Sequence, residues 1–154
     1  MKKKSTPEPG NARTRAIALL ARREHTRAEL ARKLQAAGFD ASGVQPLLDE
    51  LEAKNWLSDR RFAESWVADH RAKSGRVKLA YELRQHGVPD AVIDEVLGSE
   101  EDGELERAHA VWQKKFGTPP TNAAEKMKQM RFLQGRGFAS DVIRQVFAAK
   151  RRTA

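Results

Sequence analysis

Residues 26–51, TRAELARKLQAAGFDASGVQPLLDEL, contain the pattern that decides the fold of this chain. Leu30 and Leu34 form a short apolar stripe, and Gly38 follows it at a position suited to the left-handed end of a helix. Apolar side chains then recur at the i, i+3, i+4 and i+7 spacing of a second helix face. That second set is Val44, Leu47, Leu48 and Leu51.

The first of these helices begins with a capping box. Thr26 can accept a hydrogen bond from the amide of Glu29, and the Glu29 side chain can reach back to the Thr26 amide. The pattern predicts helices over residues 27–37 and 42–53, with another over 12–24 before them. No segment shows the strict alternation of a half-buried strand.

The same helix–glycine–helix block occurs three times. Gly38, Gly87 and Gly137 stand 49 and 50 residues apart, and the blocks align on them without a gap. Apolar residues match four positions before each glycine and one, six, nine and ten positions after it. A further apolar helix pattern precedes each block, so the unit has three helices. Units this small bury little surface alone and are expected to pack on their neighbours.

The sequence therefore predicts an all-α fold of three tandem three-helix units in an elongated, curved arrangement. Pro7, Pro9 and Gly10 lie in an opening segment that has no apolar pattern. The predicted organisation is a disordered basic tail at 1–12, units at 13–57, 58–98 and 107–149, an acidic linker at 99–106 and a basic tail at 150–154.

Composition excludes several classes of function. The chain has no cysteine, so disulfides, thiol catalysis and cysteine-type zinc sites are ruled out. No secretory signal or membrane span is visible, and a cytoplasmic protein is expected. The net charge of +8 suggests nucleic acid, but residues 1–12 carry +2 of it and residues 150–152 another +3.

No catalytic pattern is present. The chain has no P-loop, no dinucleotide fingerprint and no nucleophile elbow, which favours binding over catalysis, without a metal or cofactor. Trp66 and Trp112 are expected in the core rather than in base stacking. Four histidines lack metal-ligand spacing and are expected to be single surface side chains: His25, His70, His86 and His109.

A three-helix unit also suggests a helix-turn-helix DNA reader, a transcription factor whose last helix enters the major groove. Asp49 and Glu52 lie on the third helix of the first unit, and Asp94 and Glu95 on that of the second. These carboxylates would repel phosphates. Only the third unit, with Arg144, suits that role. A structural scaffold away from nucleic acid remains a third alternative.

Basic residues lie instead on the middle helix of each unit. Eleven positions before the glycine, all three copies are basic, at Arg27, Arg76 and Lys126. In the first two copies this position is the opening turn of a helix, where free amides favour an anion. The predicted binding stripe comprises Arg27, Arg32, Lys33, Arg76, Lys78, Arg84, Lys126, Lys128 and Arg131.

The sequence resembles the RecX regulatory family over roughly residues 13–148. Three segments carry the resemblance: ALLARREHTRAELARKL at 18–34, WLSDRRFA at 56–63 and YELRQHGV at 81–88. The likeness is strong in the first two units and weaker in the third. Trp56 is a departure, since the family more often has a tyrosine-like residue there.

The resemblance implies a non-enzymatic protein that binds the RecA–DNA filament. It implies inhibition of recombinase, ATPase and co-protease activities, and thus modulation of recombination, repair and the SOS response. The expected partners are the RecA filament and, weakly and without sequence preference, single-stranded and double-stranded DNA. The protein itself is expected to be a monomer.

Overall fold

The computed structural model describes residues 9–98 and 103–151, which form nine α-helices and no β-strand. The helices, three per unit, are α1 Pro9–Arg22, α2 Arg27–Ala36, α3 Ala41–Ala53, α4 Asp59–His70, α5 Arg76–Gln85, α6 Asp90–Gly98, α7 Glu104–Lys115, α8 Ala123–Gly135 and α9 Ser140–Arg151. No described helix combines the length and the apolar character that crossing a bilayer requires.

Each unit has a core of its own. Leu34, Leu48 and Leu51 are fully buried in the first, and Leu83 and Leu133 occupy the position of Leu34 in the second and third. The extensive helix–helix contacts all lie within a unit. The all-α fold with three three-helix units, predicted from the repeat, is therefore confirmed.

The repeated glycine turn has one geometry in all three units. Gly87 and Gly137 have positive φ values of 89° and 87°, which side-chain-bearing residues rarely adopt. The amide of the residue that follows the glycine donates to the carbonyl of the residue four positions before the glycine, as Phe138 does to Leu133 over 3.2 Å. This is the Schellman ending of a helix, and it explains why apolar residues recur on both sides of the glycine.

The middle helices meet end to end at the two junctions between units. The amides of Gly75 and Val77, at the start of α5, donate to the carbonyls of Arg136 and Gly137, at the end of α8, over 2.8 and 3.0 Å. At the other junction the Thr26 hydroxyl donates to the carbonyl of His86 over 2.5 Å. The helices thus follow one another in the order α8, α5, α2.

Two predicted boundaries differ from the structure. The first helix begins at Pro9, so residues 9–12 do not belong to a disordered tail. Proline is tolerated in the first turn of a helix because no amide is needed there, and Ala12 is buried in the first core. Helix α7 begins at Glu104, inside the predicted acidic linker. The rest of both tails and of the linker, at 1–8, 99–102 and 152–154, lies outside the described residues.

Candidate interaction surface

The predicted basic stripe divides into cations that hold the fold together and cations that remain exposed. Arg27 belongs to the first group: its guanidinium donates to Asp49 at 2.7 Å and Glu52 at 2.5 Å, both on α3. Arg76, its equivalent in the second unit, donates to the carbonyl of Leu97 at the end of α6, over 2.6 Å. Both side chains therefore clamp the third helix of their own unit.

The anion site predicted at the opening turns of the middle helices is already occupied. The amide of Arg27 donates to the Asp59 carboxylate, and that of Arg76 to the Glu104 carboxylate, each over 2.8 Å. Each acid begins the first helix of the next unit. Burial raises the pKa of Asp59, against the effect of the Arg27 amide. The predicted site is a junction within the chain, because sequence spacing cannot show which acid reaches a helix end.

Lys33 and Arg84 also have internal partners. The Lys33 ammonium lies 2.8 Å from Nε2 of His25, and Arg84 donates to Asp90 over 2.9 Å. His25 is 1 % exposed, so the expectation of a surface histidine was wrong there. Its Nδ1 lies 3.0 Å from the carbonyl of Arg23, which can only accept, while Lys33 can only donate. The ring is therefore neutral, with its proton on Nδ1.

The capping box is confirmed in one half and replaced in the other. The Glu29 amide donates to the Thr26 hydroxyl over 3.0 Å, as predicted. The Glu29 carboxylate does not return to the Thr26 amide but bonds His86 at 2.5 Å and Arg23 at 3.1 Å. Burial raises the pKa of Glu29, but these two partners outweigh it and hold the pKa below its usual value. The side chain thus ties the first unit to the second.

Trp66 and Trp112, the two tryptophans expected in the core, have different surroundings. Trp112 is fully buried and donates from its indole nitrogen to Gln129 over 2.8 Å, which confirms the core assignment. Trp66 is only half-buried at the junction of the first two units, where it stacks on His70 at a centroid distance of 4.0 Å.

Three predicted cations are exposed and have no ion pair with another described residue: Arg32, Lys128 and Arg131. Lys78 and Lys126 are half-buried. Lys78 packs against the glycine turn of the third unit. Among the described residues, the exposed stripe cations without an ion pair thus lie at the centres of α2 and α8.

Large apolar side chains accompany these cations. Val77, Tyr81 and Met127 are 57 %, 59 % and 49 % exposed. Val77 and Met127 stand ten positions before the glycine of their units, and Arg32, Tyr81 and Arg131 stand six before. Positions four apart share a helix face. We call these five residues the middle-helix band; its apolar members were missed, although their shared offsets from the glycines were visible in the sequence.

The third helices of the first two units, α3 and α6, have acidic side chains on their surfaces. Asp49 and Glu52 are partnered by Arg27, and Glu95 pairs with Arg60 at 3.0 Å. In the second unit Asp90 and Asp94 are exposed. Phosphates would meet these carboxylates first, so neither α3 nor α6 is suited to the major groove.

Comparison with known proteins follows the same division into units. Family models match residues 12–51, described as the first three-helix domain of RecX, residues 58–97, the second, and residues 102–147, the third. A regulatory protein RecX of Chromobacterium violaceum is 46 % identical over 92 % of this chain and 91 % of its own length. One of Ralstonia nicotianae is 42 % identical over 90 % of this chain and 87 % of its own.

Solved structures share the fold. A crystal structure of RecX from Lactobacillus salivarius superposes with a TM-score of 0.84 at 18 % identity and covers 92 % of this chain and 95 % of its own. A second crystal structure, of a regulatory protein RecX, gives 0.77 at 21 % identity over 90 % of this chain and 70 % of its own. At these identities the likeness concerns the arrangement of helices alone.

Proposed function

Because the chain belongs to the RecX family, we propose that it binds the RecA–DNA filament and inhibits the recombinase, ATPase and co-protease activities of RecA. It acts by binding rather than by catalysis. The family membership supports a regulatory role, and the RecA target comes from what the family resemblance implies. The observation on this chain that carries the proposal is the middle-helix band.

The composition of the band suits a protein partner. Tyr81, Met127 and the two arginines are of the residue types enriched at interfaces, and the three apolar members are about half exposed. The band runs over three middle helices that meet end to end, so it offers a row of similar contacts. A filament presents one protein surface repeatedly, and a repeated binding surface matches it.

A matched pair of charge reversals in the third unit tests the band. Arg131 and Arg144 are both exposed arginines, but only Arg131 belongs to the band. We expect Arg131→Glu to raise the concentration needed for half-inhibition of RecA ATPase on single-stranded DNA about tenfold, which corresponds to about 1.4 kcal/mol of lost binding free energy. Arg144→Glu should leave it unchanged. Equal effects of both variants would contradict the band.

Gel shifts with duplex DNA, with and without RecA, separate this function from sequence-specific DNA reading. Arg144 lies on α9, the third helix whose charge suits a major groove. We expect weak duplex binding without a preferred site when RecA is absent. Tight, site-specific binding that Arg144→Glu abolishes would establish the transcription-factor alternative instead.

A further inference from the structure

A groove at the junction of the second and third units is lined by four cations. Lys73, Lys114, Lys115 and Arg136 surround a space of about 510 Å³, and the remaining lining comes from alanines, a valine and the ring of Phe132. Among the described residues, no carboxylate lines it. We call it the junction groove. None of its residues belongs to the predicted basic stripe.

Two of the four cations lie against the Phe132 ring, which does not neutralise them. The Lys115 ammonium lies 5.4 Å from the centre of the Phe132 ring, and the Arg136 guanidinium lies 5.2 Å from it. No described carboxylate forms an ion pair with any of the four. An aromatic ring attracts a cation through its quadrupole and carries no net charge. The positive charge in the groove therefore remains available to an anion.

Helix ends offset only part of this charge. Lys115 ends α7, Arg136 caps α8, and Lys73 follows the end of α4. Cations commonly neutralise helix C-termini, each of which carries about half a negative charge. Three ends thus offset about one and a half of the four positive charges. A surplus of about two and a half charges needs another explanation.

The corresponding groove between the first and second units is different. It has about 400 Å³ and is lined by Trp66, His70 and His86 together with the acids Glu24 and Asp69. Its arginine, Arg23, is bonded to Glu29. The junction itself therefore does not require a cluster of unpaired cations. Of the two junctions, only the one between the second and third units has this cluster of unpaired cations among the described residues.

We propose that the junction groove binds the phosphate backbone of single-stranded nucleic acid. The ammonium groups act as point charges for successive phosphates, and Arg136 can bind phosphate oxygens with two N–H groups. Alanine, valine and Phe132 form apolar walls beside which a sugar or base can lie. The inference rests on the proposed function, for which it supplies the contact to the DNA strand of the filament.

The first test needs no RecA. Binding of a fluorescein-labelled oligothymidylate is measured by anisotropy at several salt concentrations, for the full chain and for Lys114→Gln/Lys115→Gln. We expect the double variant to bind about tenfold more weakly at low salt and to lower the slope of log K against log salt by about 1.4, since each single-strand phosphate contact contributes about 0.7. The matched control, Arg60→Gln/Arg144→Gln, removes two exposed cations elsewhere and should bind as the original chain does.

Competitors distinguish the source of the anion. Inorganic polyphosphate shares the phosphates but has no bases, and polyglutamate represents an acidic protein segment. We expect unlabelled oligothymidylate to displace the probe best, polyphosphate less well and polyglutamate least. Polyglutamate competing as well as the oligonucleotide would overturn the nucleic-acid assignment in favour of an acidic protein partner. Unchanged binding by Lys114→Gln/Lys115→Gln, with circular dichroism unaltered, would overturn the site itself.

The contribution of the Phe132 ring can be tested separately. Phe132→Leu keeps apolar contact with Phe116 but removes the surface that holds Lys115 and Arg136. We expect this variant to bind the oligonucleotide more weakly, with a melting temperature within a few degrees of that of the original chain. Binding equal to that of the original chain would overturn the role of the ring.

The two proposed surfaces can also be tested independently of each other. Loss of RecA inhibition by Arg131→Glu with intact oligonucleotide binding would separate them, so either proposal can fail without the other.

Discussion

At the scale of single residues, the basic side chains of the middle helices fall into two groups, those bonded within their own unit and those that are exposed. Arg27 and Arg76 are bonded inside their own units, whereas Arg32 and Arg131 are exposed without an ion pair among the described residues. In the sequence all four appear equivalent as helical cations. Which of them is free depends on the acids that the fold brings near, so charge placement alone cannot rank them.

Reversal of Arg27 tests the structural part of this distinction. Arg27→Glu places a third carboxylate beside Asp49 and Glu52, whose present ion pairs with Arg27 are partly exposed. We expect the free energy of unfolding to fall by about 1–2 kcal/mol, because two ion pairs are lost and each exposed pair contributes at most about 1 kcal/mol. Urea denaturation measures it, with Arg32→Glu as the control that should change stability by less than about 0.5 kcal/mol. Equal stability of the two variants would contradict the clamp.

His25 makes stability depend on pH. Burial lowers the pKa of His25 below its usual value of 6.5, against the hydrogen bond to the Arg23 carbonyl. Below pH 6.5 the unfolded chain gains a proton on this ring that the folded chain does not, so this contribution to stability is lost as the pH falls through the folded pKa. We expect the free energy of unfolding to decline from pH 6.5 downward, by at most about 1.4 kcal/mol per pH unit from this group.

The His25→Gln variant isolates that effect, because glutamine keeps a donor for the carbonyl but does not titrate in this range. Urea unfolding at a series of pH values should show a flatter profile below pH 6.5 than the original chain. A profile with the same slope would show that the buried imidazole is not the group responsible.

At the scale of helices, the glycine turns of the second and third units each end a helix and also contact the preceding unit. A Cβ on Gly137 would collide with the backbone and side chain of Lys78, and one on Gly87 with Ala28. The close approach lets amides at the start of α5 reach carbonyls at the end of α8. Gly87 and Gly137 therefore have two independent reasons to be glycine, the positive φ and the lack of a side chain.

Gly137→Ala tests both reasons at once. The left-handed conformation alone costs an alanine about 1 kcal/mol, and the collision with Lys78 adds to it. We expect a loss of stability of about 2–4 kcal/mol, measured by thermal unfolding. Gly135→Ala is the matched control: nothing lies within 4 Å of a Cβ there, so stability should hold or rise slightly. A Gly137→Ala variant as stable as Gly135→Ala would contradict the described junction.

At the scale of the whole molecule, three separate cores are joined by short junctions. The buried clusters do not share a residue, and what crosses between units is a few hydrogen bonds and ion pairs such as Arg61 to Glu24 at 2.9 Å. Stability in such arrays is a sum of unit and junction contributions. A defect in one core should therefore stay largely within its unit.

Leu133→Ala tests this independence. Leu133 is fully buried in the third core, so its truncation should cost about 2–5 kcal/mol in that unit. Hydrogen exchange followed by mass spectrometry should show faster exchange in α7, α8 and α9, with little change in α1, α2 and α3. Uniform acceleration over all three units would show that the chain unfolds as a single cooperative body.

The sequence by itself determined the class of fold, the number of units and the register of the glycine turns. These follow from local rules: helical spacing of apolar residues, and a left-handed residue that ends a helix. The tertiary structure alone decided which cations have no ion pair, that Asp59 and Glu104 occupy the predicted anion sites, and that four cations line one groove. Those facts depend on distances between residues of different units, and periodicity within one helix carries no information about them.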